Sequence, residues 1–543
     1  MPAFAGMSGA IIALLVASVE AKAEPAMNWT GFYAGIHAGG MLGFSDVSDP
    51  YGRSIYGNTV RTPGALIGLQ GGYNWQPAGS RFVYGIEGDL SWLTGDGSST
   101  CFAFSGRFTS SNCRAQPSYT GTLTGRLGYA GDAGGRTLYY LKGGAALLRN
   151  RVEATANYGF GFYPIATAGI DQTDLGWTIG AGIEHAIAPA WSVKLEYDYS
   201  DFADATFTTH RGFLTTPGGG ITTVLAPRTA HVDQSMHTVK LGLNYRFGAD
   251  PAVAWAEAQP VPKPAWALET ALRYWVSSGR FQKDLPAFLN SKTSLISRLT
   301  FDDLTAHTGE MFARLDSPWK VFVKGYAGLG RVTGGKLQDE DWGLFTSAPF
   351  TSYSSTVSNL TDTSLNYAVL DAGYDILVGA DYKLGAFLGY TKIHEEYEAT
   401  DCRQVASPSS GICAPPITGT KVITENDRWQ SWRLGVAAEL KLTQQIKLNA
   451  DLAYLPNVSF RGRDDHWLRA LVIDENGNGR GVQVEAILSY APTPDLSVGI
   501  GARYWGLWTR NGVDAFDSVP VGRDDTYRYE RFGLLMQAAY KFH

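Results

Sequence analysis

Two short motifs carry side chains that could activate a water molecule. One is Gln338-Asp339-Glu340-Asp341-Trp342 and the other is Arg463-Asp464-Asp465-His466-Trp467. The i, i+2 spacing puts Asp339 with Asp341, and Asp464 with His466, on common faces of extended backbone. A carboxylate held on one imidazole nitrogen fixes the tautomer and raises the basicity of the ring. The other nitrogen can then take a proton from water. Two close carboxylates do not both ionise easily, so one can stay protonated as a donor. Hydrolysis by an activated water is the chemistry these groups suit. Either motif alone reads as solvated surface charge; two on one rim weaken that reading, although spacing does not decide it.

The elements that must position these groups are strands. From residue 264 onward, apolar and polar residues alternate: Leu434, Val436, Ala438, Leu440 and Leu442 against Arg433, Gly435, Ala437, Glu439 and Lys441. This period of two is that of a strand with one face in lipid and one in a polar lumen. Ten strands are predicted, over 265–280, 295–316, 318–334, 363–378, 381–401, 427–442, 444–461, 480–492, 494–509 and 526–542. Strands 318–334 and 444–461 both run outward, so the acid motifs fall in loops at one extracellular rim. Parity poses a difficulty. Alternation carried from Ile446, Leu448, Ala450 and Leu452 places Asp464 and His466 on the lipid face. A register break is needed, for which Pro456 and Gly334-Gly335 are the candidates.

The first half alternates too, most clearly in Val239-Lys240-Leu241-Gly242-Leu243-Asn244-Tyr245-Arg246-Phe247. Eight strands are predicted, over 29–43, 63–78, 81–95, 118–134, 135–157, 174–189, 190–209 and 236–248. Eight strands leave an interior just filled by side chains. Between the halves, residues 249–264 hold four prolines, which break a sheet and suit a semi-rigid periplasmic spacer. The fold class is therefore all-β, with two tandem transmembrane antiparallel barrels of about eight and ten strands. One porin-like barrel of about 18 strands, a diffusion pore, is the competing architecture. The predicted organisation is 1–23 a secretion signal, 24–248 the first barrel, 249–264 the linker and 265–543 the second barrel. The signal rests on the apolar run from Ser8 to Val19 and the small-x-small site Ala21-Lys22-Ala23.

Composition excludes other classes. Of 543 residues, 18% are charged, against about 25% in ordinary globular domains. Aromatics make up 13%, which excludes disorder, and the absence of apolar runs of about 20 residues excludes a helical membrane protein. A net charge of -6 gives no case for nucleic acid as a partner. The four cysteines fall into two local pairs, Cys101 with Cys113 and Cys402 with Cys413, each bracketing a polar loop. These suit disulfides in an oxidising compartment, and neither pair has zinc-ligand spacing. Asp302, Asp303, His307 and Glu310 offer no complete metal-ligand set and read as an interior hydrogen-bond network. His37, His185, His210 and His231 have no paired acid at a telling spacing.

Asn28-Trp29-Thr30-Gly31-Phe32-Tyr33-Ala34-Gly35 and the ending His237 to Phe247 resemble the small eight-stranded outer-membrane barrels of Gram-negative bacteria. That resemblance implies a fold but no activity. Residues 265–542 resemble the omptin family of outer-membrane proteases. The resemblance rests on Ser297-Arg298-Leu299, Gly334 to Trp342, Asp362 to Tyr367, Lys383 to Tyr390 and Asp464-Asp465-His466. It implies an endopeptidase acting at the cell surface, with no cofactor unless lipopolysaccharide is required for activity. His466 would be the general base, Asp464 would orient it, and Asp339 and Asp341 would position the water. It also implies lipopolysaccharide as a lipid partner, through Tyr390 and Lys441, and a polypeptide substrate. The chain departs from the family where Lys392 and His394 replace an expected acid and arginine. It departs again at Gly462, where an acidic specificity residue is expected between Arg461 and Arg463. Two flanking arginines would repel a dibasic substrate. A non-enzymatic surface barrel, used for adhesion or ligand display, is the alternative.

Overall fold

The computed structural model describes residues 27–52, 54–55, 58–103, 110–131, 134–157, 166–215, 221–248, 265–286, 293–342, 353–361, 363–406, 413–520 and 524–542. The predicted signal at 1–23 and the linker at 249–264 lie outside them. Among the described residues every regular element is a strand.

The first half contains β1 (Gly31–Val47), β2 (Thr59–Trp75), β3 (Phe82–Leu93), β4 (Gly97–Cys101), β5 (Ser111–Ala130), β6 (Thr137–Ala156), β7 (Thr167–Ala188) and β8 (Trp191–Thr208). It ends with β9 (Gly212–Thr215), β10 (Ile221–Leu225) and β11 (Thr229–Arg246). The long strands run β3-β2-β1-β11-β8-β7-β6-β5, and β3 pairs β5 to close the cylinder. The first and last strands pair in register, Tyr33 opposite Arg246. Alternation dictates the two faces. Ile36, Leu69, Leu123, Leu141 and Ile179 are exposed outward, and His37, Glu87, Lys142, Lys194 and Lys240 are buried inward.

The second half contains β12 (Ala267–Pro286), β13 (Leu295–Asp316), β14 (Val321–Trp342), β15 (Tyr353–Leu360), β16 (Thr363–Val378), β17 (Tyr382–Ala406), β18 (Ile417–Lys441), β19 (Ile446–His466), β20 (Leu471–Tyr490), β21 (Leu496–Phe516), β22 (Val519–Pro520) and β23 (Thr526–Phe542). Ten of these are long and close into a separate cylinder, with β12 paired to β23 from Leu268 opposite Phe542. Two closed sheets exclude the single 18-stranded pore. Several strands run further than the sequence predicts: β14 ends at Trp342 rather than 334, and β19 at His466 rather than 461. The acid motifs therefore sit on strand ends, not in loops. Beyond the lipid the outward face turns polar, as at Lys392, His394, Glu396 and Glu398 of β17, so the apolar signal fades while the ladder continues. Trp432, on the lipid face of β18, is seven residues from Glu425, or about 23 Å of strand. The upper ends of β14 and β19 thus stand clear of the bilayer.

The two cylinders lie side by side. At one end Tyr382 Oη donates to the Ile187 carbonyl at 2.8 Å, and Arg136 pairs with Asp381. Leu440, Leu442 and Leu448 pack with Tyr139, Ile183 and Leu195. Higher up, a Cβ on Gly40 would lie 3.3 Å from Val484, so the glycine lets the walls approach closely.

Candidate active site

Two register breaks bring the acid motifs to the lumen. On β19, Lys447 and Asp451 face inward low in the barrel, pairing with Glu269 and Lys324. Between Leu455 and Val458 the pairing to β20 slips, and between Gln430 and Leu434 the pairing to β18 slips. The extra residue falls at exposed Pro456 and Asn457. Proline gives up no ladder donor there that another residue would have kept. Asn457 Oδ1 accepts from the Trp432 N–H at 3.3 Å and fills part of the gap. Above the bulge Val458, Phe460, Asp464 and His466 are all buried inward. On β14 the slip spans Thr333 to Gly335, opposite Asp303 of β13. Gly335 has φ +152° and Asp303 has φ 57°; a Cβ at Gly335 would meet Leu360 at 2.9 Å. Glycine is the residue that tolerates this backbone and this approach.

His466 Nε2 lies 3.0 Å from Asp464 Oδ2, so the contact assigns the donor proton to Nε2 and leaves Nδ1 for another partner. The same carboxylate oxygen accepts from Lys283 Nζ at 3.0 Å. Lys283 also pairs with Glu475 and stands 3.8 Å from Asp514. Across the lumen, Arg469, three residues past His466, reaches Asp341 with Nη2 to Oδ2 at 3.4 Å. The two strand ends thus meet over the mouth of one cylinder. Enclosure in the lumen, reinforced by the Asp341 charge, pushes the Asp339 carboxyl up to about 7. Burial opposes a charged His466 ring, but the carboxylates of Asp464 and Asp339 outweigh it and raise the ring above its ordinary 6.5. Burial likewise works against an ionised Asp464, yet the facing His466 and Lys283 hold it well below the usual carboxylate range.

Beneath the dyad lies an acidic well. Glu425, Asp427, Glu475 and Asp514 are all buried and lumen-facing, and burial raises each carboxyl. Glu425, Asp464 and Glu475 have ligand oxygens within 4.8 Å of one another, but the Lys283 ammonium already bridges Asp464 and Glu475. Gly462 opens onto this well. A Cβ there would lie 2.6 Å from Glu475 Oε2 and 3.1 Å from Asp427 Oδ1. Arg461 and Arg463 are exposed on the outer wall, where they line a groove with Glu396, Asn426 and Arg428. The expectation that they repel a basic substrate is therefore overturned, because both point away from the lumen.

Other expectations change as well. Tyr390 pairs in register with Trp432, whereas Lys441 lies at the opposite end of β18, with its Nζ on the Ala380 carbonyl at 3.2 Å. Nine residues, about 30 Å of strand, separate the levels of Tyr390 and Lys441, so one lipid headgroup does not reach both. His307 is not interior: it faces outward and meets Tyr274 Oη at 2.9 Å. Only Glu310 of that group joins the lumen, held by Arg273 and Arg503. His37 contacts Ser91 Oγ at 2.7 Å inside the first barrel. His185 contacts Asp381 at 3.4 Å, His210 contacts Ser111 Oγ at 2.8 Å, and His231 is exposed. Cys101–Cys113 and Cys402–Cys413 are both disulfides. Sequence reasoning missed Lys283 and Arg469. Arg469 follows His466 by three residues, which was a usable signal; Lys283 lies beyond the predicted end of its strand and gave none.

The outer membrane protein β-barrel domain matches residues 10–247, and the omptin family matches residues 299–514. The 31 kDa outer-membrane immunogenic protein of Brucella melitensis is 31% identical over 229 residues, which is 40% of this chain and 84% of that one. The chain belongs to the outer-membrane β-barrel proteins, with an omptin family domain as its second half. It is an outer-membrane protein. A 22 kDa outer membrane protein of Rhizobium leguminosarum bv. viciae is 29% identical over 183 residues, 34% of this chain and 69% of that one. The outer membrane protease OmpT of Escherichia coli aligns over 53% of this chain and 99% of its own, at 16% identity and a TM-score of 0.43. The omptin match spans both acid motifs, and the first-barrel match spans none of them.

Proposed function

We propose that the second barrel is an endopeptidase that cuts polypeptides outside the cell, using a water activated by His466. The observation behind this reading is the lumen-facing Asp464–His466 hydrogen bond, 3.0 Å long, on a strand end tied to the facing Asp341 through Arg469. In the proposed step, His466 Nδ1 takes a proton as the water oxygen bonds to the scissile carbonyl carbon. The imidazolium formed is stabilised by Asp464 and then gives its proton to the leaving amine as the C–N bond breaks. Asp339 and Asp341 together retain a proton, so the pair can donate to the developing oxyanion as well as accept from the water. Lys283 holds Asp464 ionised and oriented. The test is cleavage of a mixed peptide library by the full chain refolded with lipopolysaccharide. His466→Ala should abolish cleavage. Survival of cleavage in that variant removes His466 from the mechanism, and no cleavage by the unaltered protein favours a non-enzymatic surface barrel.

The proposed lipid partner remains lipopolysaccharide, met on the outer wall near Tyr390 with Arg428 and Arg461 supplying the positive charge in place of Lys441. These two arginines face each other in register above the lipid level marked by Trp432.

A further inference from the structure

The strand that carries Asp339 and Asp341 has a second face. Alternation turns Glu340 away from the lumen, and there it meets the first barrel rather than solvent. Thr100 Oγ1, on β4, donates to Glu340 Oε2 at 2.8 Å, and Tyr353 Oη donates to the other carboxylate oxygen at 2.6 Å. The contact is one part of a buried network between the disulfide-closed β4–β5 hairpin and the outer wall of the second barrel. Ser98 Oγ donates to Asp284 Oδ2 at 2.6 Å. Arg298 donates to Thr100 Oγ1 at 2.9 Å and to Asn112 Oδ1 at 2.7 Å, while its Nε holds Asp284 at 2.7 Å. One residue past the acid pair, Trp342 Nε1 donates to Ser110 Oγ at 2.6 Å.

We propose that the first barrel is a built-in brace for the acid strand: the hairpin fixes Glu340 and Trp342 from behind and so sets the positions of Asp339 and Asp341 at the mouth. Three observations carry this. The hairpin grips residues on both sides of Asp341 in sequence. The network is closed to water, with Ser98, Thr100, Asn112, Arg298 and Glu340 all buried. And Glu340 and Trp342 both lie beyond the register break at Thr333 to Gly335, so the hairpin holds the stretch of β14 that the break has offset. A buried hydrogen-bond network fixes geometry more tightly than apolar contact alone, since each displaced partner leaves a desolvated polar group. Sub-ångström placement of catalytic groups is what a supporting shell supplies. Thr100, Ser98 and Arg298 touch no lumen group, so they are positioning residues.

The activity arm of the test rests on the proteolytic reading; the exchange arm does not. In the full chain refolded with lipopolysaccharide, the paired substitution Ser98→Ala with Thr100→Val removes both hydroxyls and leaves every acid in place. Amide exchange over residues 337–342 should quicken at least tenfold, with that of 446–466 unchanged. Peptide cleavage should lose at least fivefold in kcat with KM held within twofold, because the hairpin lies outside the lumen, and Thr100→Ser alone should restore both readouts. Cys101→Ala with Cys113→Ala, which loosens the hairpin without touching the network, should move the same readouts in the same direction. Unchanged exchange over 337–342, or faster exchange spread over the whole second barrel, overturns the brace. So does a kcat that stays level while exchange rises. Faster local exchange in a protein that cleaves no peptide at all keeps the brace and sinks the protease.

Discussion

The lumen of the first barrel and the mouth of the second are built by the same alternation and filled to opposite ends. In the first, Lys142, Lys194, Lys240 and Arg126 interleave with Glu87, Asp89, Glu184, Glu196 and Asp198, with contacts of 2.8–3.8 Å. Each charge faces an opposite one, and the interior is a solid plug. Lower in the second barrel the same rule holds, with Arg503 on Glu310 and Arg433 on Asp371. At its mouth the balance fails. Five buried acids, Glu425, Asp427, Asp464, Glu475 and Asp514, crowd around one lysine, Lys283. Paired charge in a lumen holds a cylinder together. Unpaired acid at an open end raises its own proton affinity and becomes available for proton transfer.

That contrast can be broken in graded ways. The largest effect is expected at the dyad. Asp464→Asn should lower kcat about 10²-fold or more, as loss of an orienting carboxylate does elsewhere. It should also move the acid limb of the pH profile. His466 must be neutral to accept a proton, so activity rises with pH through its raised value; removing the carboxylate that raises it shifts the limb to lower pH. A limb that does not move means that another group is titrating. Next, Lys142→Met in the first barrel should cost about 3–5 kcal/mol of stability, because it strands buried carboxylates, with kcat and KM of the folded protein unchanged. Thermal unfolding and steady-state kinetics on one sample decide this; lost cleavage by a protein that is still folded would show that the plug does more than fill. A smaller effect is expected at Asp339. Its folded carboxyl titrates at about 7, against about 4 unfolded. The folded state is therefore penalised as pH rises from about 4 to about 7, and fully so above. Asp339→Asn should raise the unfolding temperature at pH 8 and leave it level below pH 4. Equal melting at both pH values contradicts the raised carboxyl. The smallest effect belongs to the outer wall, where Arg428→Ala with Arg461→Ala should weaken activation by added lipopolysaccharide a few-fold. Activation that survives unchanged moves the lipid site elsewhere.

Alternation made both cylinders legible, because a lipid face demands apolar residues at every second position whatever lies inside. It also exposed the parity conflict at Asp464 and His466, and Pro456 and Gly334-Gly335 were the residues that resolve it. The upper strand ends were not legible. Above the bilayer both faces of a strand are polar, so β14 and β19 read as loops after residues 334 and 461. For the same reason Arg461 and Arg463 could not be assigned to the outer wall from sequence, and Lys283 could not be placed beneath Asp464. The docking of the β4–β5 hairpin on Glu340 joins residues 240 positions apart, and pairing of that kind leaves no periodic trace.

Each cylinder is sealed by its own terminal strands, β1 with β11 and β12 with β23. Neither lends the other a backbone edge. A chain severed between Arg246 and Ala267 would therefore give two pieces with complete ladders, free to diffuse in the plane of the membrane and to find each other only through side chains. The tether then acts on encounter rather than on architecture: it keeps the hairpin and the acid strand at high local concentration.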